Sequence, residues 1–320
     1  MKTGGLLAAH ADWSVDPRKR WITIATRTTA THTNASWQVA APTPVGDVAT
    51  LLARLRHQAG DAAILFGIDA PIGIPRAYAD RHVTQPDFPT FLDSLASQPQ
   101  FFQVCDDLAE ISGARPFYPR RSRAGLTQAP HIAALGLPNR ASLSRACDRA
   151  TDERPAGATL FWTLGANQSG KAAISVWRDV LLPARAGNAG VRLWPFEGDL
   201  ADLLAPATTV MAETYPAEAL RHLGLSLSGS KRRQSDRAAL APALRPAMAR
   251  LAAEPSPALA SQIADGFGPD AAGEDQFDST LGLLCLLNVL AGNRPGTIPP
   301  DPALRRWEGW VLGQTALPRG

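Results

Sequence analysis

Four aspartates stand where a protein could hold divalent metal ions. Asp12 closes the apolar segment "GLLAAHADWS", and Asp69 follows the apolar start of "ILFGIDAPIGIP". Asp275 and Asp278 begin the apolar stretch "EDQFDSTLGLL", three residues apart, so they share one face of a helix. An ionised aspartate in an apolar run costs several kcal/mol unless it is paired. Asp69 therefore either accepts backbone N–H groups at a turn or holds a cation.

Clustered carboxylates repel one another unless they are protonated or neutralised by a cation. Mg²⁺ and Mn²⁺ prefer such hard oxygen ligands. Two of these ions about 3.5–4 Å apart can clamp the attacking and leaving oxygens of a phosphodiester. Each acid also has a structural explanation, since Asp12 could begin a turn and acids at a helix start complement the helix dipole. The metal hypothesis depends on the four occurring together.

The first half of the chain predicts how these acids could meet. Segments 5–14, 20–28 and 36–42 read as three short strands of an antiparallel meander. A helix is predicted over 45–60, and the strand that ends at Asp69 follows it. A strand–helix–strand crossover usually makes the two strands parallel. Asp12 and Asp69 would then lie at the same carboxyl edge, where open α/β sheets bind ligands.

The rest of the chain completes an α/β architecture in one domain over residues 1–320. Residues 76–156 are rich in Pro and Arg and are predicted to form a helical insertion or cap. The remaining predicted elements are strands at 158–165, 190–198 and 208–216, a helix from Pro216, and helices at 232–254 and 273–292.

Three further groups of residues could contribute to a site. Glu213 ends an apolar strand and either joins the metal ligands or caps the following helix. "GANQSGKA" (165–172) nearly matches a phosphate-binding loop, so Lys171 could bind a substrate phosphate, although a solvated turn explains it as well. Two basic patches could contact nucleic acid or simply be solvated. They comprise Arg115, Arg120, Arg121 and Arg123 with Phe117 and Tyr118, and Lys231, Arg232, Arg233 and Arg237.

Composition restricts the class of protein. With 45% hydrophobic and 19% charged residues the chain is typical of a globular protein, and a formal charge of +3 is too small for a nucleic-acid-coating tail. The three widely separated cysteines match no metal or redox spacing and favour a reducing compartment. The longest apolar stretch, 281–292, is too short to span a bilayer. We therefore expect a cytoplasmic protein without a membrane partner; the sequence does not indicate its oligomeric state.

The order of these segments resembles the ribonuclease H-like nuclease superfamily. More narrowly, it is similar to an uncharacterised bacterial family described as predicted RNase H-like nucleases. The acidic pair on the last helix is similar to that of the Holliday-junction resolvases. The segments that carry the resemblance are the strand-terminal Asp12, "GIDAPIGIP" (67–75), "AETYP" (212–216) and "EDQFDSTLGLL" (274–284).

The resemblance implies an RNase H-like mixed sheet, built from the three-strand meander plus parallel strands and flanked by helices. It places Asp12, Asp69, Asp275 and Asp278 in the metal-binding role, with two Mg²⁺ or Mn²⁺ ions. The leading hypothesis is therefore a metal-dependent phosphodiesterase, a nuclease acting on DNA or RNA.

Two other functions remain open. Bulky Trp13 directly after Asp12 favours a nucleic-acid- or nucleotide-binding protein that has this fold without turnover. Nucleotide or phosphate-ester chemistry at Lys171 is the third hypothesis. His10, two residues before Asp12 on the same strand face, is the best-placed histidine for proton transfer, and a structural role explains it equally.

Overall fold

A mixed sheet of eight strands forms the centre of the protein. The computed structural model describes residues 5–28, 36–164, 169–187 and 190–319. The strands are β1 (Leu6–Asp12), β2 (Trp21–Thr28), β3 (Ser36–Val39), β4 (Thr43–Pro44), β5 (Ala63–Ile68), β6 (Val191–Leu193), β7 (Thr209–Glu213) and β8 (Ala253–Pro255). Their order is β6-β7-β5-β1-β2-β3-β8, with β4 also paired to β2.

The predicted strand directions are confirmed. β1, β2 and β3 pair antiparallel as a meander, whereas β1, β5, β7 and β6 are successively parallel. In the pairing of β1 with β5, His10 lies opposite Gly67 and Ala11 opposite Ile68. The carboxyl ends of these two central strands therefore reach the same edge of the sheet.

Helices cover both faces of this sheet. They are α1 (Leu51–Ala59), α2 (Arg76–His82), α3 (Phe88–Ser94), α4 (Gln128–Ala134), α5 (Ser169–Val176), α6 (Leu182–Ala186), α7 (Leu200–Leu203), α8 (Pro216–His222), α9 (Gln234–Ala239), α10 (Ala241–Arg250), α11 (Pro257–Asp265) and α12 (Ala272–Leu290). A π-helical turn, Trp177–Leu181, joins α5 to α6. In the described part of the chain, no helix has the length and apolar character needed to cross a membrane.

Alternate residues of β1 face two different cores, as the pleat of a strand requires. Leu7, Ala9 and Ala11 pack with the insertion and α5, whereas Ala8 packs with the helices of the opposite layer, including α12. His10 and Asp12 have the parity of Ala8 and therefore point toward α12. The sheet thus separates a first face, under the insertion, from a second face, under α12.

The segment 76–156 contains three short helices joined by 3-10 turns and irregular chain. Its aromatic rings pack on the first face of the sheet: Phe101 lies edge-on to Phe117, with ring centres 5.6 Å apart, and stacks on Trp177 of the π-helical turn at 6.3 Å. The segment therefore shares the core of the sheet and covers this face.

Two predicted elements are wrong. Residues 158–164 form no strand; only a bridge between Tyr118 and Trp162 is present, because Leu160 and Phe161 are buried by the aromatic core and not by strand neighbours. Gly165 lies outside the described residues.

The single helix predicted over 232–254 is two helices, α9 and α10, followed by the unpredicted strand β8. Pro242 in the first turn of α10 lacks the N–H that would continue the ladder from α9, so a new helix begins there. β8 then pairs with β3 in parallel at the edge of the sheet.

The long helix α12 lies very close to the second face. Gly282 makes this possible, since a Cβ there would lie 2.1 Å from Cε1 of His10. His10 Nδ1 is 3.2 Å from the carbonyl oxygen of Ser279, and the Ser279 hydroxyl is 2.8 Å from Thr23 Oγ1 on β2. These contacts fix the first half of α12 across β1 and β2.

Candidate metal centre

Asp12 and Asp69 lie side by side at the edge of the sheet. The N–H of Asp69 donates to the carbonyl oxygen of Ala11 at 3.0 Å, which extends the parallel ladder by one residue beyond β5. Residues paired in a parallel ladder point to the same face. Both carboxylates therefore project from neighbouring strands toward α12, as the sequence predicted.

The first turns of α12 bring the other two acids to this place. Burial raises the pKa of Asp12 well above its usual range, and the charges of Asp278, Asp69 and Asp275 raise it further. Ser279, next to Asp278, is in contact with His10, two residues before Asp12, and Asp69 and Asp278 line one cleft. The structure thus brings together all four aspartates, from β1, the end of β5 and one face of α12.

Each of these acids resists ionisation when no cation is bound. Burial, and then the charge of Asp278, raises the pKa of Asp69 to about 7. Burial also raises the pKa of Asp275 to about 6, and Lys19 opposes that shift. The pKa of Asp278 is raised by burial as well, although Lys231 lowers it. Burial is the first cause of the raised pKa in all four aspartates, and the charges of neighbouring acids add to it.

Lys231 is the single cation in direct contact with these acids among the residues the structure describes. Its ammonium group donates to Asp278 Oδ2 and lies 3.7 Å from Oε1 of Glu274. The same charge lowers the pKa of both Asp12 and Asp69. The sequence analysis placed Lys231 in a surface patch and missed this role, because Lys231 lies 47 positions from Asp278 and no pattern connects the two.

Glu213 does not join the four aspartates. It is paired with Ile68, so it points to the first face, and its oxygens accept from Arg145 Nη1 at 2.5 Å and Nη2 at 2.7 Å. It also accepts from the N–H of Ile72 at 2.8 Å. Arg145 is fully buried and also donates two hydrogen bonds to the carboxylate of Asp148, at 2.8 and 2.9 Å. Glu213 is therefore part of a buried ion-pair cluster.

Cys147, Asp148 and Glu213 are the one group of metal-type ligands within 4.8 Å of one another in the described residues. They suit a metal poorly. Arg145 already neutralises both carboxylates, and burial raises the pKa of the Cys147 thiol well above its usual range, whereas the thiolate is the metal ligand.

The four aspartates fit hard divalent ions better. They offer carboxylate oxygens alone, the ligands that Mg²⁺ and Mn²⁺ prefer. Burial, and then the charges of neighbouring acids, raises the pKa of Asp12 and Asp69. No three of these four aspartates have carboxylate oxygens that all lie within 4.8 Å of one another. The ammonium group of Lys231 is already in contact with one of them, Asp278. Cation binding would therefore replace the contact between Lys231 and Asp278.

Trp13 does not cover the second face of the sheet, to which Asp12 points. Its ring packs on the first face, where its Nε1 donates to Ser175 Oγ at 2.8 Å. The guanidinium carbon of Arg20 lies 4.4 Å from the ring centre. Asp12 points to the opposite face, so the bulky neighbour does not cover its carboxylate.

A cleft of about 630 Å³ opens at this edge of the sheet. Asp69 and Asp278 form part of its wall, whereas Asp12 and Asp275 are not among its lining residues. The cations that line it are Lys19, Arg154 and Lys231, and the aromatic residues are Trp13 and Tyr215.

The first predicted basic patch is largely structural. Phe117 and Tyr118 are buried, so they cannot stack on bases. Arg115 lies 3.5 Å from Glu110, and Arg120 donates to the carbonyl oxygen of Val104. The patch also contains Arg121 and Arg123, which are exposed and make no ion pair with any described residue.

The second patch also differs from its prediction. Arg237 is buried and donates to the carbonyl oxygens of Gly266 and Gly268. Arg233 pairs with Asp236 at 2.6 Å, and the exposed Arg232 lies 3.8 Å from Glu274. Of the six basic residues predicted to bind substrate, Lys171, Arg120, Arg121, Arg123, Arg232 and Arg233, none lines the cleft.

Two remaining predictions concern Lys171 and His10. Lys171 lies on α5, but residues 165–168 of the phosphate-loop-like turn are outside the described residues and no strand precedes them. His10 is fully buried, and that burial lowers its pKa to about 3. It is neutral between β1 and α12 and does not reach the cleft.

The stability of the metal-free protein should depend on the charge of Asp69. Its folded pKa, about 7, exceeds the ordinary 3.8, so the folded state binds more protons than the unfolded state between these values. The contribution of Asp69 to the free energy of unfolding is fully present below about pH 4 and is lost as the pH rises through about 7. We expect Asp69→Asn to melt higher than the wild type at pH 8, and the difference to shrink at pH 5.5. Thermal melts in chelator test this; a constant difference would contradict the assignment.

Searches of protein-family models, of curated proteins and of solved structures gave no match to this chain.

Proposed function

We propose that this protein is a metal-dependent phosphodiesterase, a nuclease with an RNase H-like core that hydrolyses its substrate with two Mg²⁺ or Mn²⁺ ions. The observation that carries the proposal is the convergence of Asp12, Asp69, Asp275 and Asp278 at the carboxyl edge of the central strands. Burial raises the pKa of all four, so their ionised forms are unfavourable until a cation neutralises them.

The sheet supports the RNase H-like part of the proposal. The meander β3-β2-β1 continues into parallel β5 and β7, which is the mixed sheet that the resemblance implies. Two acids come from the central strands and two begin the last long helix, as in the Holliday-junction resolvases to which the pair is similar. The additional strands β6 and β8 lie at the two edges.

The four aspartates would hold the ions, and the cleft would hold the phosphate ester. Divalent ions held there would activate a water and stabilise the charge on the leaving oxygen. In the hydrolysis the water would lose a proton as its oxygen forms a new bond to phosphorus, the ester P–O bond would break, and the leaving alkoxide would take up a proton. Asp69 and Asp278, which line the cleft, would face the reacting phosphate.

Calorimetric titration of the metal-free protein with Mn²⁺ tests the site. We expect about two ions to bind the wild type. Affinity should fall in Asp69→Asn by more than the roughly 10–100-fold that loss of an outer-shell partner costs. Asp202→Asn is the matched control, because Asp202 is exposed and makes no ion pair with described residues. No binding to the wild type, with or without single-stranded DNA, would contradict the proposal.

The contact between Lys231 and Asp278 favours a second candidate function. The ammonium group of Lys231 partly neutralises the acids when no metal is bound. This suits a protein that binds nucleic acid or nucleotides without turnover. Nucleic-acid binding that is unaffected by Mg²⁺, together with no cleavage of any substrate, would select this function over the first.

A further inference from the structure

The cleft beside the four aspartates is bounded on many sides. Its volume, about 630 Å³, lies in the roughly 300–1,000 Å³ range of small-molecule sites. Segments far apart in the chain enclose it: the β1–β2 connection, the end of the insertion, α5, the start of α8, the loop before α9, and the C-terminal segment. Representative lining residues are Val15, Ala158, Ser169, Tyr215, Lys231 and Val311.

Of the three described cations that line the cleft, one makes no ion pair and is available for a ligand. Lys231 is paired with Asp278, and the guanidinium of Arg154 is paired with Glu218. Lys19 is exposed and makes no ion pair with any described residue. It lines the cleft together with Asp69 and Asp278. A phosphate bound in the cleft would meet this ammonium group.

Tyr215 supplies an aromatic surface in the same cleft. Thr214 alone separates it from β7, and it precedes Pro216, the first residue of α8, which restricts its backbone. Its hydroxyl makes no hydrogen bond with a described residue, and the guanidinium carbon of Arg154 lies 5.8 Å from its ring centre. Tyr215 lines the cleft together with Asp69 and Asp278, so the ring lies on the same cleft as these acids.

We propose, on the basis of the proposed function, that the substrate is a nucleotide-sized phosphate ester: a dinucleotide or the terminal nucleotides of a single strand. The base stacks on the ring of Tyr215, and the phosphate lies between Lys19 and the aspartates. Base stacking on aromatic rings is worth about 1–3 kcal/mol and tolerates any base.

Duplex nucleic acid does not suit this cleft. Bases inside a duplex are stacked and must be extruded before they can enter a bounded pocket. A duplex also needs a track of cations along its backbone, whereas the exposed Arg121, Arg123 and Arg232 lie outside the cleft lining. The end of the insertion and α5 form part of the wall where such a duplex would lie.

Binding to the Asp69→Asn protein, at a Mn²⁺ concentration that saturates its weakened metal site in the titration above, tests the inference without turnover. The probes are a 5′-phosphorylated dinucleotide, a linear single strand of ten nucleotides, a circular single strand, and a duplex with hairpin-closed ends. We expect the first two to bind at least about tenfold more tightly than the last two. Equal binding of the circle or the closed duplex, or no binding of any probe, would overturn the inference.

Variants of the two ligand-contacting residues sharpen the test. Tyr215→Ala should weaken dinucleotide binding about 5- to 150-fold, whereas Tyr215→Phe should stay within about twofold because the ring is kept. Lys19→Gln should reduce the slope of log affinity against log salt by about 0.7. Arg18→Gln, which removes an adjacent charge already paired with Asp16, should leave the slope unchanged. Equal effects of both charge changes would contradict the role of Lys19.

The wild-type protein with Mn²⁺ separates this inference from the proposed function. Selective binding of linear strands without cleavage would contradict the nuclease proposal and leave the ligand class standing. Cleavage of the circle or the closed duplex at the rate of the linear strand would support a nuclease and overturn the ligand class.

Discussion

Replacing Asp69 with asparagine is expected to lower the rate of metal-dependent phosphodiester cleavage by at least about 10³-fold, or about 4 kcal/mol of transition-state stabilisation. The amide keeps the shape of the side chain and removes the charge that a metal ion requires. Folding should be retained, because the ionised carboxylate is unfavourable in the metal-free protein, where its pKa is about 7. Single-turnover cleavage of a linear single strand with Mn²⁺ measures the change.

The matched variant Asp202→Asn should cleave at the wild-type rate, since Asp202 lies exposed on α7, and Asp278→Asn should lose activity as Asp69→Asn does. Circular dichroism and thermal melts establish that the variants are folded. Full activity in Asp69→Asn would overturn the metal-site assignment. Activity lost in Glu213→Gln but kept in Asp69→Asn would move the chemistry to the first face of the sheet.

Replacing Arg145 with methionine is expected to lower the free energy of unfolding by about 3–5 kcal/mol, the cost of leaving buried charges without their partner. Arg145 is fully buried and donates to both Glu213 and Asp148. Its loss leaves two carboxylates to repel one another in a setting that already raises the pKa of Glu213. Urea unfolding at pH 7 with an unchanged slope measures this effect.

A triple variant provides the control for this prediction. Arg145→Met combined with Glu213→Gln and Asp148→Asn removes all three charges together, so stability should recover relative to Arg145→Met alone. A loss below about 1 kcal/mol in the single variant would mean that the ion pairs are as weak as surface pairs. Restoration of the single variant by Mn²⁺ would instead identify Glu213 and Asp148 as metal ligands.

The part of the site that the sequence predicted depends on regular structure. Asp12 and Asp69 could be placed side by side because a crossover makes their strands parallel, and strand ends at one edge meet. Asp275 and Asp278 could be paired because helical spacing alone places them on one face. The apolar run after them then predicted that this helix would dock on the sheet.

The residues that irregular chain supplies could not be predicted in this way. Lys231 and Arg145 lie outside the strands and α-helices, and charge in a loop does not reveal its partner. Lys231 reaches Asp278, 47 positions away, and Arg145 reaches Glu213 across 68. The strand predicted around Leu160 and Phe161 is absent for a different reason. The same run of apolar residues is compatible with a strand or with irregular chain buried in an aromatic core.

The contact of His10 with Ser279 joins two residues that are 269 positions apart. Synthesis begins at the amino terminus, and α12 leaves the ribosome long after β1. Until then Asp12 and Asp69 have no second pair of carboxylates beside them. A nascent or prematurely ended chain therefore carries only half of the acidic cluster, which is complete only when the sheet receives its last long helix.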